Sequence, residues 1–270
     1  MIKVYKSNDD FLKHNLEFLM SDEIKNGLII GIARRFNDDE SHFVSSIIED
    51  RILLGVLAGK NLIISANTLE SDVYKELVRH MLEVPYPGIV SEKETALIYN
   101  KVYKELTGKE MYIDMNQRIY SCKKIISETK IKGKIRLAND RDFEDLKHWS
   151  NGFIQEVEGK IPIEESNKTL RRLLDGQTLY VLEDDNILLS MASRTRPTEK
   201  CETISYVYTP LNLRRQGYAT MLVENLTRLI LKDKETVTLY TDLSNPTSNS
   251  IYLKIGYKPY CDSLVLNKKI

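Results

Sequence analysis

The apolar positions in the second half of the chain follow two periods, one typical of strands and one typical of helices. Strands are predicted where apolar or β-branched runs are bounded by turn residues, at KIRLA, TLYVLED, NILLSMASRTR, CETISYVYTP, TVTLYTDL and YKPYCDSLVLNKKI. Helices are predicted from Asp140 to about Glu158, over EESNKTLRRLLDG, from Gly217 to Leu231 and from Asn245 to Ile255. The resulting order, βααβββαβαβ, predicts an α/β fold with a mixed sheet.

The first half also shows an α/β pattern. Apolar runs predict strands at NGLIIGIARRF, RILLGVLAG and NLIISAN, and a long final strand at KEMYIDMNQRIYSCKKII. Helices are predicted over LESDVYKELVRHMLEV and SEKETALIYNKVYKELTG, the second of which ends at Gly108. A mostly polar stretch from Ser127 to Lys134 separates the two halves, so we predict domains of residues 1–130 and 131–270.

Composition and charge narrow the classes of function. The chain has 270 residues, enough for two domains, and its 39 basic and 39 acidic residues leave no net charge. Zero net charge provides no general attraction to nucleic acid or to an anionic membrane, so neither partner is expected. Cys122, Cys201 and Cys261 are odd in number and form no CxxC pair, which predicts reduced thiols and no metal site. The start lacks the apolar core of a signal peptide, so the sequence predicts a cytoplasmic protein.

The stretch TPLNLRRQGYATMLVENLTRLIL leads from a predicted strand into a predicted helix. A helix N-terminus has free backbone N–H groups and a partial positive charge, and phosphate groups bind there without special side chains. Gly217 lets a ligand approach the backbone closely, and Arg214 and Arg215 add positive charge. The pattern predicts a site for a diphosphate; the alternative is a helix start with two solvated arginines.

The last predicted helix, in SNPTSNSIYLKIGY, has one polar face. At about 100° per residue, Asn245, Ser248, Asn249 and Tyr252 fall on that face. It either presents hydrogen-bonding groups to a ligand or faces solvent, with Tyr252 as a packing residue.

Together, TPLNLRRQGYA and NPTSNSIYLKIGYKPYCD resemble the acetyl-CoA site of the GNAT superfamily of acyl-CoA-dependent N-acyltransferases. The family's [QR]-x-x-G-x-[GA] pattern falls on Arg214, Gly217 and Ala219, and its later asparagine and tyrosine fall on Asn245 and Tyr252. The resemblance covers about residues 134–270 and includes the βααβββαβαβ order. It implies a C-terminal GNAT-like acyltransferase domain that is preceded by a smaller α/β domain.

The resemblance also implies a role for each matched position. Backbone groups of Val207, Tyr208 and Thr209 would hold the pantetheine arm of acetyl-CoA like an added strand. Tyr252 would protonate the departing CoA thiolate. The other implied cofactor contacts are Arg214, Arg215, Gln216, Gly217, Tyr218, Ala219 and Thr220, in the turn that holds the pyrophosphate, and Asn245, Ser248 and Asn249.

The sequence departs from the family at the position expected for the general base. Many relatives have a carboxylate on the fourth strand, at a position that corresponds here to Thr203. Glu202 is adjacent but is expected to point to the other face of the sheet. Glu156, Glu158, a water relay and an amine that binds in its neutral form are the alternatives.

The resemblance implies an enzyme that transfers an acetyl group from acetyl-CoA to a primary amine, by direct attack in a ternary complex and without a metal. The alternative is a non-catalytic acyl-CoA-binding sensor or scaffold, which the missing carboxylate favours and Tyr252 disfavours. The first half lacks the [QR]-x-x-G-x-[GA] pattern before a helix, so we expect a non-catalytic, degenerate copy of the fold. The other explanation is an unrelated α/β module that mediates dimerisation, which leaves a homodimer open. The amine acceptor is not identified by the sequence.

Overall fold

The computed structural model describes residues 1–36, 38, 40–130, 132–159 and 162–269, without the side chain of Glu158. The chain divides into two compact units. Unit 1 consists of Met1–Tyr120, Tyr240–Pro246 and Pro259–Ile270. Unit 2 consists of Ser121–Leu239 and Thr247–Lys258.

The first half of the chain has four helices and six strands within its described residues. In chain order they are β1 (Ile2–Tyr5), α1 (Asn8–Met20), α2 (Glu23–Arg35), β2 (His42–Ile48), β3 (Arg51–Leu57), β4 (Leu62–Ala66), α3 (Ser71–Met81), β5 (Gly88–Glu92), α4 (Lys93–Thr107) and β6 (Tyr112–Cys122).

The second half repeats this order. Its elements are β7 (Lys134–Leu137), α5 (Phe143–Glu158), α6 (Ile163–Asp175), β8 (Leu179–Asp184), β9 (Ile187–Thr195), β10 (Cys201–Tyr208), α7 (Tyr218–Ile230), β11 (Thr236–Asp242), α8 (Pro246–Ile255) and β12 (Lys258–Asn267), with short 3-10 turns at Asp140–Asp142 and Leu211–Leu213. The predicted order βααβββαβαβ is therefore confirmed for the second half, and the first half has it too.

One predicted element of the first half was wrong. NGLIIGIARRF was predicted as a strand, whereas its residues form most of helix α2. The Asp22 side chain caps this helix by accepting a hydrogen bond from the Lys25 backbone N–H at 3.0 Å. Ile29, Ile30 and Ala33 are buried at helical spacing, so the apolar run is one face of a helix rather than a buried strand.

Unit 1 has strand order β1-β2-β3-β4-β5-β12-β6. Strands β4 and β5 pair in parallel, while β12 pairs antiparallel with β5 along Ser263–Asn267. The last strand of the second half thus lies in the unit that holds the first half. Gly88 is required at this pairing, because a Cβ there would lie 3.0 Å from the Asn267 Cα and closer still to the Leu266 carbonyl oxygen.

Unit 2 has strand order β11-β10-β9-β8-β7. Strands β10 and β11 pair in parallel, at the position that β4 and β5 occupy in unit 1. Strands β8 and β9, both of which were predicted, form a hairpin, and Asp185 and Asn186 at its tip have φ of 47° and 64°. Helices α5 and α6 pack an apolar core against β8 and β9 through Leu146, Leu170 and neighbouring residues.

The segment around the predicted domain boundary is bound to helix α7 within unit 2. The Glu224 carboxylate, whose side chain is 3% exposed, accepts hydrogen bonds from the Ser127 hydroxyl at 2.8 Å and the Thr129 hydroxyl at 2.7 Å. It also accepts one from the Thr129 backbone N–H at 3.1 Å. The division at residue 130 stays a prediction, since the compact units are built from several chain segments each.

None of the helices in the described ranges is long and apolar enough to cross a bilayer.

Candidate functional site

The site begins at the end of strand β10, where the strand changes its pairing. Its parallel pairing with β11 covers Cys201–Thr203, and the strand extends beyond this paired segment to Tyr208. Its antiparallel register with β9 shifts between Ser205 and Tyr208, and Tyr206 has a φ of 58°. These features define a β-bulge, a device that redirects backbone and side chains next to functional sites. The bulge directly precedes the Val207–Thr209 segment.

The turn between β10 and α7 has a backbone conformation that is typical of anion-binding sites. Arg215 has a φ of 64° and Gly217, the N-cap residue of α7, has a φ of 84°. The first hydrogen bond of the helix runs from the Met221 N–H to the Gly217 carbonyl oxygen at 3.0 Å. The preceding N–H groups therefore have no acceptor within the helix. Left-handed residues in such a turn aim successive N–H groups into one concavity, which suits an anion.

The Arg214 side chain holds this turn in place. Its Nε donates to the Thr209 carbonyl oxygen at 2.8 Å, and its Nη2 donates to Glu156 Oε1 at 2.6 Å. Its guanidinium carbon lies 5.4 Å from the centre of the Tyr208 ring. Arg214 thus joins β10, the turn and helix α5, while the neighbouring Arg215 and Gln216 are exposed.

Tyr208 packs against a glycine of helix α5. A Cβ built on Gly152 would lie 2.9 Å from the Tyr208 Cζ and closer still to its hydroxyl. Burial raises the pKa of Tyr208, and the Glu156 carboxylate adds to the rise. The absence of a side chain at position 152 therefore lets the end of β10 lie close to α5.

Tyr252 lies on α8 with its side chain buried. Burial raises its pKa to about 12, while a hydrogen bond with the Ser248 side chain acts in the opposite direction. Its ring meets the Tyr257 ring edge-on, with 6.0 Å between the ring centres. At neutral pH the phenol is protonated and is therefore a proton donor.

The remaining predicted residues of α8 are placed in different surroundings. Ser248 and Asn249 are half-buried in unit 2, one turn before Tyr252. Asn245 is exposed and belongs to unit 1, where its backbone N–H donates to the Asp242 carbonyl oxygen at 3.1 Å. Tyr218, Ala219 and Thr220 form the half-buried first turn of α7.

The described side chains at the positions considered for the general base form ion pairs or hydrogen bonds within the protein. Glu202 forms a two-point ion pair with Arg194, with distances of 3.0 and 2.6 Å. The Thr203 hydroxyl lies 2.9 Å from the Thr238 hydroxyl in the interior. Glu156 is bound by Arg214, as described above, and the side chain of Glu158 lies outside the described part of the chain.

Next to the bulge lies a cluster of hydroxyl and aromatic side chains that was not predicted from the sequence. The Tyr206 hydroxyl lies 2.6 Å from the Ser150 hydroxyl, which lies 2.7 Å from the Ser166 hydroxyl. The centres of the Phe153 and Tyr206 rings lie 4.4 Å apart, with the ring planes tilted by 52°. No local motif marks these residues, because they come from two helices and a strand that meet only in the fold.

The corresponding place in the first half is built differently. Strands β4 and β5 pair at Leu62–Ile63 and Ile89–Val90, and a cavity of only about 20 Å³ lies nearby. Such a volume has room for one or two water molecules. Helix α3 follows Glu70 and has Asp72, which is paired with Arg51, in its first turn, whereas the first turn of α7 has no acidic residue.

Comparisons with known proteins concern the fold and one segment of the chain. The family described as "FR47-like protein" matches residues 190–265. No curated protein sequence matches the chain.

Several solved structures have the same fold. A GNAT-family acetyltransferase from Colwellia psychrerythraea has a TM-score of 0.66 at 12% identity, with 100% of both chains covered. A GCN5-related N-acetyltransferase from Kribbella flavida has a TM-score of 0.60 at 11% identity, covering 92% of this chain and 95% of that one. A tandem GNAT protein from the clavulanic acid biosynthesis pathway has a TM-score of 0.58 at 10% identity, covering 98% and 97%.

At sequence identities of 10–12%, these structural similarities show a shared fold. The structures that cover the whole chain include a tandem protein, which agrees with the repeated order of elements in the two halves. The predicted resemblance is therefore confirmed: the chain has the fold of the GNAT superfamily, and its residues 190–265 match the FR47-like family.

Proposed function

We propose that the protein is an N-acetyltransferase that uses acetyl-CoA and acetylates a primary amine by direct attack in a ternary complex. The turn between β10 and α7 carries this proposal. Its left-handed Arg215 and Gly217 lie at a helix N-terminus, a backbone arrangement that suits the binding of an anion by successive N–H groups. This arrangement suits the pyrophosphate of CoA, and the Arg214 contacts hold it in shape before a ligand arrives.

The end of β10 would bind the pantetheine arm. Beyond Thr203 the strand is no longer in its paired segment with β11, so Val207–Thr209 are suited to pair with an extended ligand. The bulge at Tyr206 sets the direction of this segment. Ser248 and Asn249 would contact the same ligand from α8.

Tyr252 would act as the general acid. Attack by the amine nitrogen on the thioester carbonyl forms a C–N bond, and the C–S bond then breaks. The Tyr252 phenol gives its proton to the sulfur as this bond breaks, so CoA leaves as a thiol. A buried phenol with a pKa of about 12 stays protonated until that moment.

The proton lost by the amine needs a separate route. Glu202 and Glu156 are both held in ion pairs with arginines, so their carboxylate oxygens are already engaged. We therefore propose that the amine binds in its neutral form or loses its proton to water, rather than to either of these carboxylates.

The first half would be a non-catalytic copy. Its cavity of about 20 Å³ and the acidic first turn of α3 do not suit a CoA diphosphate. We expect one acetyl-CoA per chain.

The test is calorimetric titration with acetyl-CoA, followed by thiol release over a panel of amines. Gly217→Asp should raise the Kd for acetyl-CoA by at least about thirtyfold, which corresponds to about 2 kcal/mol. Aspartate enters the left-handed backbone region more readily than most residues other than glycine, so α7 should persist while the carboxylate repels the diphosphate.

Gly59→Asp is the matched control. Gly59 has a φ of 91° and open space around it in unit 1, so this variant introduces similar backbone strain away from the site. Equal affinity in both variants and the wild type would refute the diphosphate assignment. Tight binding without thiol release from any amine would favour the sensor instead.

A further inference from the structure

The backbone of Tyr206 has a conformation that is unfavourable for a bulky residue. Its φ of 58° lies in the left-handed region, which glycine, asparagine and aspartate enter far more readily than tyrosine does. The residue lies in the bulge of β10, where the register with β9 shifts between Ser205 and Tyr208. Such strain persists where the surrounding structure holds it in place, and it is concentrated at functional sites. The contacts of the Tyr206 side chain therefore indicate what fixes the bulge.

These contacts reach into the interior between helices α5 and α6. The Tyr206 hydroxyl lies 2.6 Å from the hydroxyl of Ser150 on α5. That hydroxyl lies 2.7 Å from the Ser166 hydroxyl and 3.1 Å from the Ser166 carbonyl oxygen on α6. Both serines are 0% exposed. Phe153, which follows Ser150 by three residues and so shares its helix face, contacts the Tyr206 ring with 4.4 Å between the ring centres.

Ser150 is the central member of this hydroxyl chain, which we define as Tyr206, Ser150 and Ser166. A serine hydroxyl has one proton, and Ser150 has three oxygens within hydrogen-bond distance. If it donates to the Ser166 carbonyl oxygen, the other two hydroxyls both donate to Ser150 Oγ. Loss of this one oxygen would therefore separate the strained bulge from helix α6.

The hydroxyl chain acts on one side of Val207, and a second contact acts on the other side. Val207 lies within the register shift of β10 and beyond Thr203, where the paired segment with β11 ends. Its direction therefore depends on the bulge rather than on a continuous ladder with either neighbouring strand. Tyr208, the next residue, packs closely on Gly152 of the same helix α5. Both neighbours of Val207 are thus held by α5.

We propose that Ser150 is a positioning residue, which acts through Tyr206 to aim Val207, and hence a bound acyl thioester, at the acceptor amine. This inference rests on the proposed acetyl transfer along the end of β10. Ser150 would affect the alignment of the reacting atoms more than the affinity for acetyl-CoA, because small misplacements slow a reaction strongly. The turn proposed to hold the diphosphate is fixed separately, by the contacts of Arg214.

The test compares Ser150→Ala, Tyr206→Phe and the double variant in the full chain. Each single change should lower kcat for thiol release at least about tenfold, while the Kd for acetyl-CoA rises less than about threefold in calorimetric titration. The double variant should lose no more than the larger single loss, because both changes break the same link.

Thr227→Val is the matched control. The Thr227 hydroxyl is also buried in unit 2 and lies 2.7 Å from a tyrosine hydroxyl, that of Tyr257, but it is remote from the bulge in the chain. Its loss should lower the melting temperature about as much as Ser150→Ala does and leave kcat within about twofold of the wild type.

Three outcomes would overturn the positioning role while the wild type still releases thiol, which leaves the proposed function intact. The first is wild-type kcat in folded Ser150→Ala. The second is a loss confined to Tyr206→Phe, which would mean that Tyr206 acts by touching the substrate. The third is an equal loss in Thr227→Val, which would mean that kcat only follows stability. Absence of thiol release from the wild type itself would refute the proposed function, and this inference with it.

Discussion

Replacing Tyr252 with phenylalanine is the sharpest test of the proposed chemistry. The change removes one hydroxyl and keeps the ring, which is buried and meets the Tyr257 ring at 6.0 Å. If the phenol protonates the departing thiolate, turnover should fall while acetyl-CoA still binds.

The size of the effect follows from the surroundings of the hydroxyl. It is buried and is hydrogen-bonded with Ser248, so its loss should lower the free energy of unfolding by about 1 kcal/mol. General acids contribute on the order of 10²–10⁴ to rate, so we expect kcat to fall at least about 100-fold. The Kd for acetyl-CoA should change less than about fivefold, because the proposed pyrophosphate and pantetheine contacts lie elsewhere.

Tyr257→Phe is the matched control. Tyr257 is also buried, has a raised pKa caused by burial, and belongs to the same ring pair, but its hydroxyl lies 2.7 Å from the Thr227 hydroxyl. Its loss should cost similar stability and leave kcat nearly unchanged. The assay is thiol release with an amine that the wild type accepts, beside calorimetric titration and thermal unfolding.

The pH profile offers a second check on the same residue. Because burial raises the pKa of Tyr252 to about 12, loss of its proton should not lower kcat between pH 8 and 10. Equal loss of kcat in both phenylalanine variants, or a rise in Kd as large as the fall in kcat, would refute the assignment of Tyr252 as the acid.

Three further predictions concern the linker, the end of β10 and the first half. Glu224→Ala should speed exchange of the Thr129 amide proton about 30-fold, equal to about 2 kcal/mol, whereas Glu128→Ala on the exposed side should not. Burial raises the pKa of Glu224, but its hydrogen bonds with Thr129 and Ser127 outweigh burial and lower it, so the same protection should disappear as the pH falls through this lowered pKa. Unchanged exchange would contradict the contact. Gly152→Ala should raise the Kd for acetyl-CoA by displacing Tyr208, although alanine raises helix propensity by about 1 kcal/mol. Adding Tyr208→Phe removes the hydroxyl that the new methyl group meets and should recover part of the affinity. Wild-type affinity in Gly152→Ala alone would refute the contact. Titration should give one acetyl-CoA per chain, and two would mean that the first half binds as well.

Local signals in the sequence were reliable where consecutive residues determine the backbone. Asn139 caps the turn before α5, Gly108 ends α4 in a left-handed conformation, and Asp185 and Asn186 form the tip of a hairpin. In each case the energy comes from a cap or a turn that a few neighbouring residues complete by themselves. The Arg214–Thr220 turn belongs to the same class, which is why its motif could be recognised.

Other features depended on contacts between distant segments. The run LIIGIA in α2 is equally apolar as a strand or a helix, and packing of Ile29 and Ile30 in the core decides between them. The pairing of β12 with β5 joins residues more than 170 positions apart, which no local pattern encodes.

The same division holds within the candidate site. The sequence by itself predicted the turn before α7 and the order of the elements in the second half, because glycine, capping residues and helical spacing act over short distances. On the predicted polar face of the last helix, the structure buries Tyr252 and leaves Asn245 exposed, before the start of α8. Only the tertiary structure decided that Arg214 is bound to Glu156 and that Glu202 is bound to Arg194. These ion pairs form only when separate helices and strands pack together. The sequence alone therefore does not show which of these charged side chains are paired.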